Sequence, residues 1–182
     1  MPQEQALSLL SRSSRLISRE EVAKAIENMA TRLEEQFSGS SPIFLTIMNG
    51  GMIPGARLAS MLKLPVRMDY VHATRYRSGT HGGELNFRVR PHLAVKDEDV
   101  IIFDDIFDEG HTLQAMREFC LEQGARRVIT AVLVRKQHDR GLPRDTVDIV
   151  GLDVPDVYVF GCGMDVHEFW RQLDEIWALG ED

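Results

Sequence analysis

The run from Val100 to Thr112, reading VIIFDDIFDEGHT, limits what this chain can fold into more than any other stretch. Val100 to Phe103 are apolar without a break, as in a strand of a parallel sheet covered on both faces. Two adjacent carboxylates, Asp104 and Asp105, end that strand, and Asp108 precedes Glu109, Gly110, His111 and Thr112, where a helical pattern starts. Strand, acidic rim, glycine turn and helix make the layout of a phosphate site in an α/β protein. The ligand lies past the carboxyl ends of the strands, with its phosphate against free N–H groups at a helix N-terminus. Gly110 permits close approach of the backbone. The acids repel phosphate and so need another task. Asp104 and Asp105 can accept from two sugar hydroxyls, directly or through a divalent cation, while the turn holds a terminal phosphate. A phosphorylated ribose meets that description. Solvated acids at a strand end are the plainer reading, and the clustering of Asp104, Asp105 and Asp108 before a glycine turn makes it the weaker one.

The chain has 182 residues, enough for one domain with a real core. Its net charge of −7 argues against a general role on nucleic acid or a membrane surface, which calls for a basic field. No apolar run approaches a membrane span, and the first residues lack a signal-peptide pattern. With Cys120 and Cys162 as the only cysteines, a cytoplasmic chain with reduced thiols is expected. The six histidines show no metal-ligand spacing, so zinc is not expected.

Residues 1 to 17 read as a polar arm anchored by Leu7, Leu9 and Leu10. Ser18 and Glu21 form a capping-box pattern, and Val22, Ile26, Met29 and Leu33 recur at helical spacing, so a helix is expected to about Phe37. Ile43 to Met48 reads as a strand, Asn49-Gly50-Gly51 as a turn, and Pro54 as part of the first turn of a helix reaching Leu62. Val66 to Val71 and Leu85 to Val89 read as strands flanking a stretch rich in glycine and polar residues. Leu113, Met116, Phe119 and Cys120 give one helix face, which makes Cys120 a core residue, and Gly124 caps that helix. Val128 to Val134 reads as a strand, and the charged run Arg135 to Gly141 after it as a solvated loop. Val166 onward reads as a final helix, with Asp165 suited to its N-cap and Trp170, Leu173, Ile176 and Trp177 on its packing face. Arg171 alone would be a surface cation, and Tyr158 alone a sheet or core residue.

The Val100–Thr112 stretch resembles the phosphoribosyl pyrophosphate motif of the type I phosphoribosyltransferases: a hydrophobic strand, two acids, two apolar residues, Asp, a variable residue, Gly and Thr. The resemblance extends over about residues 43 to 171. Val150 to Gly161 matches the pattern of the 6-oxopurine branch, closest to the hypoxanthine–guanine enzymes. It implies an α/β fold, with a twisted, mainly parallel sheet flanked by helices and a small hood from the N- and C-terminal segments. The whole chain, 1–182, is then one domain, with its core at about 40–150 and its hood at about 1–20 and 150–182. The implied reaction joins hypoxanthine or guanine to phosphoribosyl pyrophosphate, giving the nucleoside monophosphate and pyrophosphate.

The site is likewise implied residue by residue. Asp104 and Asp105 grip the ribose hydroxyls and, with Asp165, hold Mg2+. Asp108, Glu109, Gly110, His111 and Thr112 bind ribose and its 5′-phosphate, and Asp108 is the general base. Asn49 and Gly50 touch pyrophosphate through the backbone, Asn49 standing where the family has a cation. Arg75 and Tyr76 line up with a Ser-Tyr pair of a lid, where Tyr76 matches and Arg75 departs, and Arg171 binds pyrophosphate. Lys136 donates to the 6-oxo group, with Arg135 as rival if the register slips by one. Tyr158 stacks on the purine and Val159 offers backbone contacts. Three further departures stand out: Glu109 and His111 in the turn, and Asp104 where Glu is frequent. The Glu109 side chain is expected to point away from the phosphate. The implied partners are the 6-oxopurine base and phosphoribosyl pyrophosphate, with a homodimer or homotetramer as the assembly.

A xanthine preference and a non-catalytic regulator that senses phosphoribosyl pyrophosphate are the rival readings. The retained Asp108, Asp165 and Arg171 count against the regulator. A haloacid-dehalogenase phosphatase needs Asp-x-Asp directly after the strand, which Asp104-Asp105-Ile106-Phe107-Asp108 does not supply.

Overall fold

The computed structural model describes residues 3–75 and 85–180; Tyr76 lies outside the described residues, as does the side chain of Arg75. The elements in order are α1 Gln3–Ser11, β1 Ser14–Ile17, α2 Arg19–Gln36, β2 Ile43–Ile47, α3 Met52–Met61, β3 Arg67–Arg75, β4 Leu85–Val89, β5 Asp99–Phe107, α4 His111–Glu122, β6 Arg127–Gln137, β7 Ile149–Pro155, β8 Val159–Phe160 and β9 Ile176–Ala178. The stretch read as a polar arm thus holds a helix and a strand, α1 and β1.

Six strands form the main sheet in the order β4-β3-β2-β5-β6-β7. All neighbours run parallel except β3 with β4. Alternation along β5 sends Ile101 and Phe103 into a core shared with α2 and α3 (Ile26, Met29, Leu33, Leu58), and Val100 and Ile102 into a core shared with α4 (Leu113, Met116, Cys120). Burial on both faces explains the unbroken apolar run that marked this strand. Helix α2 begins where the sequence places it. Ser18 accepts from the Glu21 N–H and the Glu21 carboxylate accepts from the Ser18 N–H, which satisfies two of the helix's free donors.

Two expectations about strand ends are corrected. Asp104 and Asp105 lie inside β5, which continues to Phe107 because its parallel pairing with β6 runs on through Asp104–Val132, Ile106–Val134 and Phe107–Arg135. Likewise β6 carries Arg135 and Lys136 within it, where Arg135 to Gly141 had read as a loop.

The final helix does not form. His167, Glu168 and Trp170 have φ of 52°, 71° and 71°, the left-handed region that an α-helix excludes. Ile176–Ala178 is instead a strand, β9, at the centre of a second sheet ordered β1-β9-β8. That sheet ties the two ends of the chain into the small hood. Trp170, Leu173 and Trp177 do pack together, with Leu9, Leu10 and Phe160, but around turns. The indole N–H of Trp170 donates to the Ala6 carbonyl at 2.8 Å.

Candidate active site

The acid rim of β5 is the centre of the site. Asp105 is 8 % exposed and points at the turn before α3. A Cβ at Gly50 would overlap its carboxylate, so the turn can lie there only with glycine at that position. Burial first, and then the Asp105 charge, hold the Asp104 carboxyl well above its ordinary pKa. Burial also raises Asp105, against a hydrogen bond from Asp104 and the charge of Arg171. Two adjacent carboxylates that the protein leaves costly to ionise are a fitting donor set for a hard divalent cation, which takes oxygen ligands. They also suit the hydroxyls of a sugar.

Past β5 the chain turns into α4 through Gly110, whose φ of 76° favours glycine. Among the described residues no side chain caps this helix, so its first N–H groups are left for a ligand, with the helix dipole favouring an anion. His111 and Thr112 open the helix. The Glu109 side chain is half exposed, 3.9 Å from the His111 ring, and its carbonyl accepts from the Leu142 N–H.

Beside that turn stands Asp108. Its Oδ2 accepts from Lys136 Nζ at 3.3 Å, and its Oδ1 lies 2.6 Å from His138 Nε2. Burial raises the Asp108 carboxyl; the His138 hydrogen bond and the Lys136 charge outweigh it, so its pKa lies below the ordinary aspartate value. Arg135, on the other face of β6, donates to both oxygens of Asp153, at 2.8 and 3.0 Å, and to the Arg144 carbonyl. Strand alternation thus separates the two cations, and Lys136 is the one that faces Asp108.

Hood residues complete the arrangement. Tyr158 is 52 % exposed, and its hydroxyl donates to the Asp165 carbonyl at 3.2 Å. Val159, 6 % exposed, pairs with Ala178. Asp165 forms an ion pair with Arg171 and accepts from the Glu168 N–H, closing a turn where a helix start was expected. Arg171 Nη1 donates to the Gly163 carbonyl at 2.7 Å. A Cβ at Gly163 would overlap the Gly50 carbonyl oxygen, which brings the hood loop against the Gly50 turn. Gly50, Asp104, Asp105, Asp165 and Arg171 therefore share one region, with Tyr158 at the Asp165 edge. Asn49 is exposed at the start of the Gly50 turn.

Reading the chain alone passed over His138, Arg140 and Asp156. Arg140 donates through Nη1 and Nη2 to Asp156 and comes within 3.8 Å of Asp108. Ligand atoms of Asp108, His138 and Asp156 lie within 4.8 Å of one another. Lys136 and Arg140 already supply the positive charge there, which makes a charge-balanced network and not a metal centre. The available signal was spacing: His138 is two residues beyond Lys136, on the same side of an extended segment.

A family model described as a phosphoribosyl transferase domain matches residues 14–168. The hypoxanthine-guanine phosphoribosyltransferase of Streptococcus pneumoniae is 28% identical over 168 residues, which cover 92% of this chain and 93% of that protein. The Bacillus subtilis protein of the same name is 28% identical over 165 residues, covering 90% and 91%. Among solved structures, a hypoxanthine-guanine phosphoribosyltransferase from Bacillus anthracis superposes with a TM-score of 0.84 at 24% identity, over 91% of this chain and 98% of that one. A ternary substrates complex of the Trypanosoma cruzi hypoxanthine phosphoribosyltransferase gives 0.85 at 24%, over 93% and 96%. With its sheet order, its acid rim and this match over most of its length, the chain belongs to the phosphoribosyltransferase family.

Proposed function

We propose that the protein is a purine-salvage enzyme that transfers the 5-phosphoribosyl group from phosphoribosyl pyrophosphate to hypoxanthine or guanine, giving IMP or GMP and pyrophosphate. The placement of Lys136 and Asp108 side by side, next to the uncapped start of α4 and the acid pair of β5, carries this reading. A 6-oxopurine offers an acceptor at O6 and a proton at N7, which match a cation and a carboxylate so placed. An adenine amino group would leave Lys136 facing a donor, and an unpaired buried donor is costly.

Each part of the site has a task in that reaction. Breaking the bond from C1 to pyrophosphate builds positive charge on the ribose and negative charge on the leaving group. Asp104 and Asp105 hold the ribose hydroxyls and align the sugar. The N–H groups at the start of α4 hold the 5′-phosphate. Arg171 offers a fork of donors to pyrophosphate once its pairing with Asp165 loosens. The N9–C1 bond forms as the C1–O bond breaks, and Asp108 takes the N7 proton. Tyr158 gives the purine a flat face to stack on. Asp104, Asp105 and Asp165 are the residues to hold Mg2+, which would neutralise and orient the pyrophosphate. The backbone of Asn49 and Gly50, with Arg75 at the end of β3 and Tyr76 after it in sequence, completes the pyrophosphate contacts in this reading. Val159 contributes backbone groups to the base edge.

A homodimer or homotetramer is part of the proposal; the exposed Met68 and Tyr70 on β3, 57 % and 48 % accessible, supply an apolar surface for it. The test is to incubate the protein with Mg2+, phosphoribosyl pyrophosphate and hypoxanthine, guanine or xanthine in turn, and to follow nucleotide and pyrophosphate. Hypoxanthine or guanine should turn over fastest. Fastest use of xanthine would shift the substrate, and binding of the sugar without turnover of any base would make the protein a regulator.

A further inference from the structure

His138 lies one step behind the reacting groups. Its imidazole is 6 % exposed, so it is enclosed, whereas Asp108 beside it is 45 % exposed and can meet a ligand. The two ring nitrogens have different partners. Nδ1 accepts from the backbone N–H of Arg140 at 3.1 Å, and Nε2 is 2.6 Å from Asp108 Oδ1. A nitrogen that accepts carries no proton, so the neutral ring has its hydrogen on Nε2 and donates it to Asp108. A second proton, on Nδ1, would meet the Arg140 N–H head to head. The loop backbone therefore sets the tautomer, and the tautomer sets which way the Asp108 carboxylate is held.

Asp108 then has two distinguishable oxygens. Oδ1 is bound by the buried ring, with Arg140 Nη2 at 3.8 Å. Among the described residues Oδ2 is bound only by Lys136, the cation that a 6-oxo group would draw away. Given the purine-salvage reading, on which this rests, we propose that His138 is a positioning residue: its Nε2–H pins Oδ1 of Asp108 and presents Oδ2 as the oxygen that takes the purine N7 proton. When O6 accepts from Lys136, Oδ2 loses its cation and becomes the more basic oxygen as the base arrives. His138 stays in place and keeps the carboxylate from rotating. The charged groups around this pair are Lys136 of β6, Arg140 of the loop after it, Glu109 before α4, and Asp156 after β7.

Two variants separate positioning from packing. His138→Phe keeps a ring and removes the donor, whereas His138→Gln keeps an N–H near the position of Nε2. Misplacing a catalytic group by about an ångström costs on the order of 100-fold, so His138→Phe should lose roughly 10- to 100-fold in kcat. Its KM for phosphoribosyl pyrophosphate and its melting temperature should stay near those of the wild type. The acid limb of kcat/KM for hypoxanthine should move to higher pH, because a donor that favours the ionised Asp108 is gone. His138→Gln should recover most of kcat and return the acid limb. Two variants equally impaired, with the acid limb unmoved, would overturn the positioning role. Nitrogen-15 shifts of the His138 ring supply a readout that needs no turnover: a proton on Nε2 is expected, and one on Nδ1 would overturn the proposal. If the wild-type protein forms no nucleotide, the purine reading falls alone, and the ring tautomer still decides whether His138 holds Asp108.

Discussion

The acid rim of β5 and the hood loop from Gly161 to Arg171 both face the same site, yet they are built by different means. Asp104, Asp105 and Asp108 are set by regular elements: a strand buried on both faces, its parallel pairing to β6, and a glycine turn into α4. Asp165 and Arg171 are set by left-handed turns, with Gly161, Cys162, Gly163, His167, Glu168 and Trp170 all at positive φ. Long-range contacts hold those turns, including Trp170 on Ala6 and Gly163 against Gly50. Local pairing determines where a carboxylate sits on the rim; in the hood, distant parts of the chain do so. Chemistry should therefore fail first at the rim, and stability first in the hood.

The largest expected effect is at the rim. Asp108→Asn removes the proposed proton acceptor and should lower kcat by about 10²- to 10⁴-fold while phosphoribosyl pyrophosphate still binds, as steady-state kinetics and calorimetry would read. Retained kcat would take the base role from Asp108. Next comes Gly163→Ala in the hood. Its φ of 103° and the nearby Gly50 carbonyl leave no place for a methyl group. Backbone strain of about 1–3 kcal/mol and overpacking of about 1–3 kcal/mol should lower the denaturant midpoint markedly. A variant as stable as the wild type would show that the hood loop is looser than its contacts imply.

A third prediction concerns pH. Asp104 and Asp105 keep protons where an unfolded aspartate, with a pKa of about 3.9, has lost them. In that window the folded chain binds more protons than the unfolded one, so this pair's contribution to stability falls as pH rises through the folded values. Compared with Asp104→Asn, wild-type protein free of ligand should lose melting temperature with rising pH, and Mg2+ with phosphoribosyl pyrophosphate should reverse that slope. A difference that grows in favour of the wild type without ligand would contradict the burial argument. The smallest effect is Trp170→Phe, which loses one hydrogen bond, about 1 kcal/mol. It should lower hood stability with kcat near that of the wild type.

The same contrast explains what the sequence made legible. The rim could be read because each signal was local: the apolar run Val100–Phe103, the acids after it, and Gly110 before the helix. The Ser18–Glu21 capping box was legible for the same reason. Its readable end stopped short at Phe103, because acids inside a strand look like a strand end until the pairing of Asp104 with Val132 is known. The hood misled. Trp170, Leu173, Ile176 and Trp177 have helical spacing, but Ile176 is held by pairing with Ile17, which no local pattern records. His138 was missed because its one local signal, the two-residue spacing from Lys136, is weak within a charged run after a strand. Its partner, Asp108, is thirty residues away.

The most direct test is the ratio of kcat/KM for hypoxanthine to that for adenine, measured in wild type and in Lys136→Ala. Hypoxanthine should be preferred by roughly 10³-fold or more in the wild type, and most of that preference should vanish with Lys136, since a site built to donate to an oxygen rejects a partner that cannot accept. Equal use of the two bases by the wild-type protein, or a preference unchanged in Lys136→Ala, would contradict the assignment of Lys136 and Asp108 to the purine.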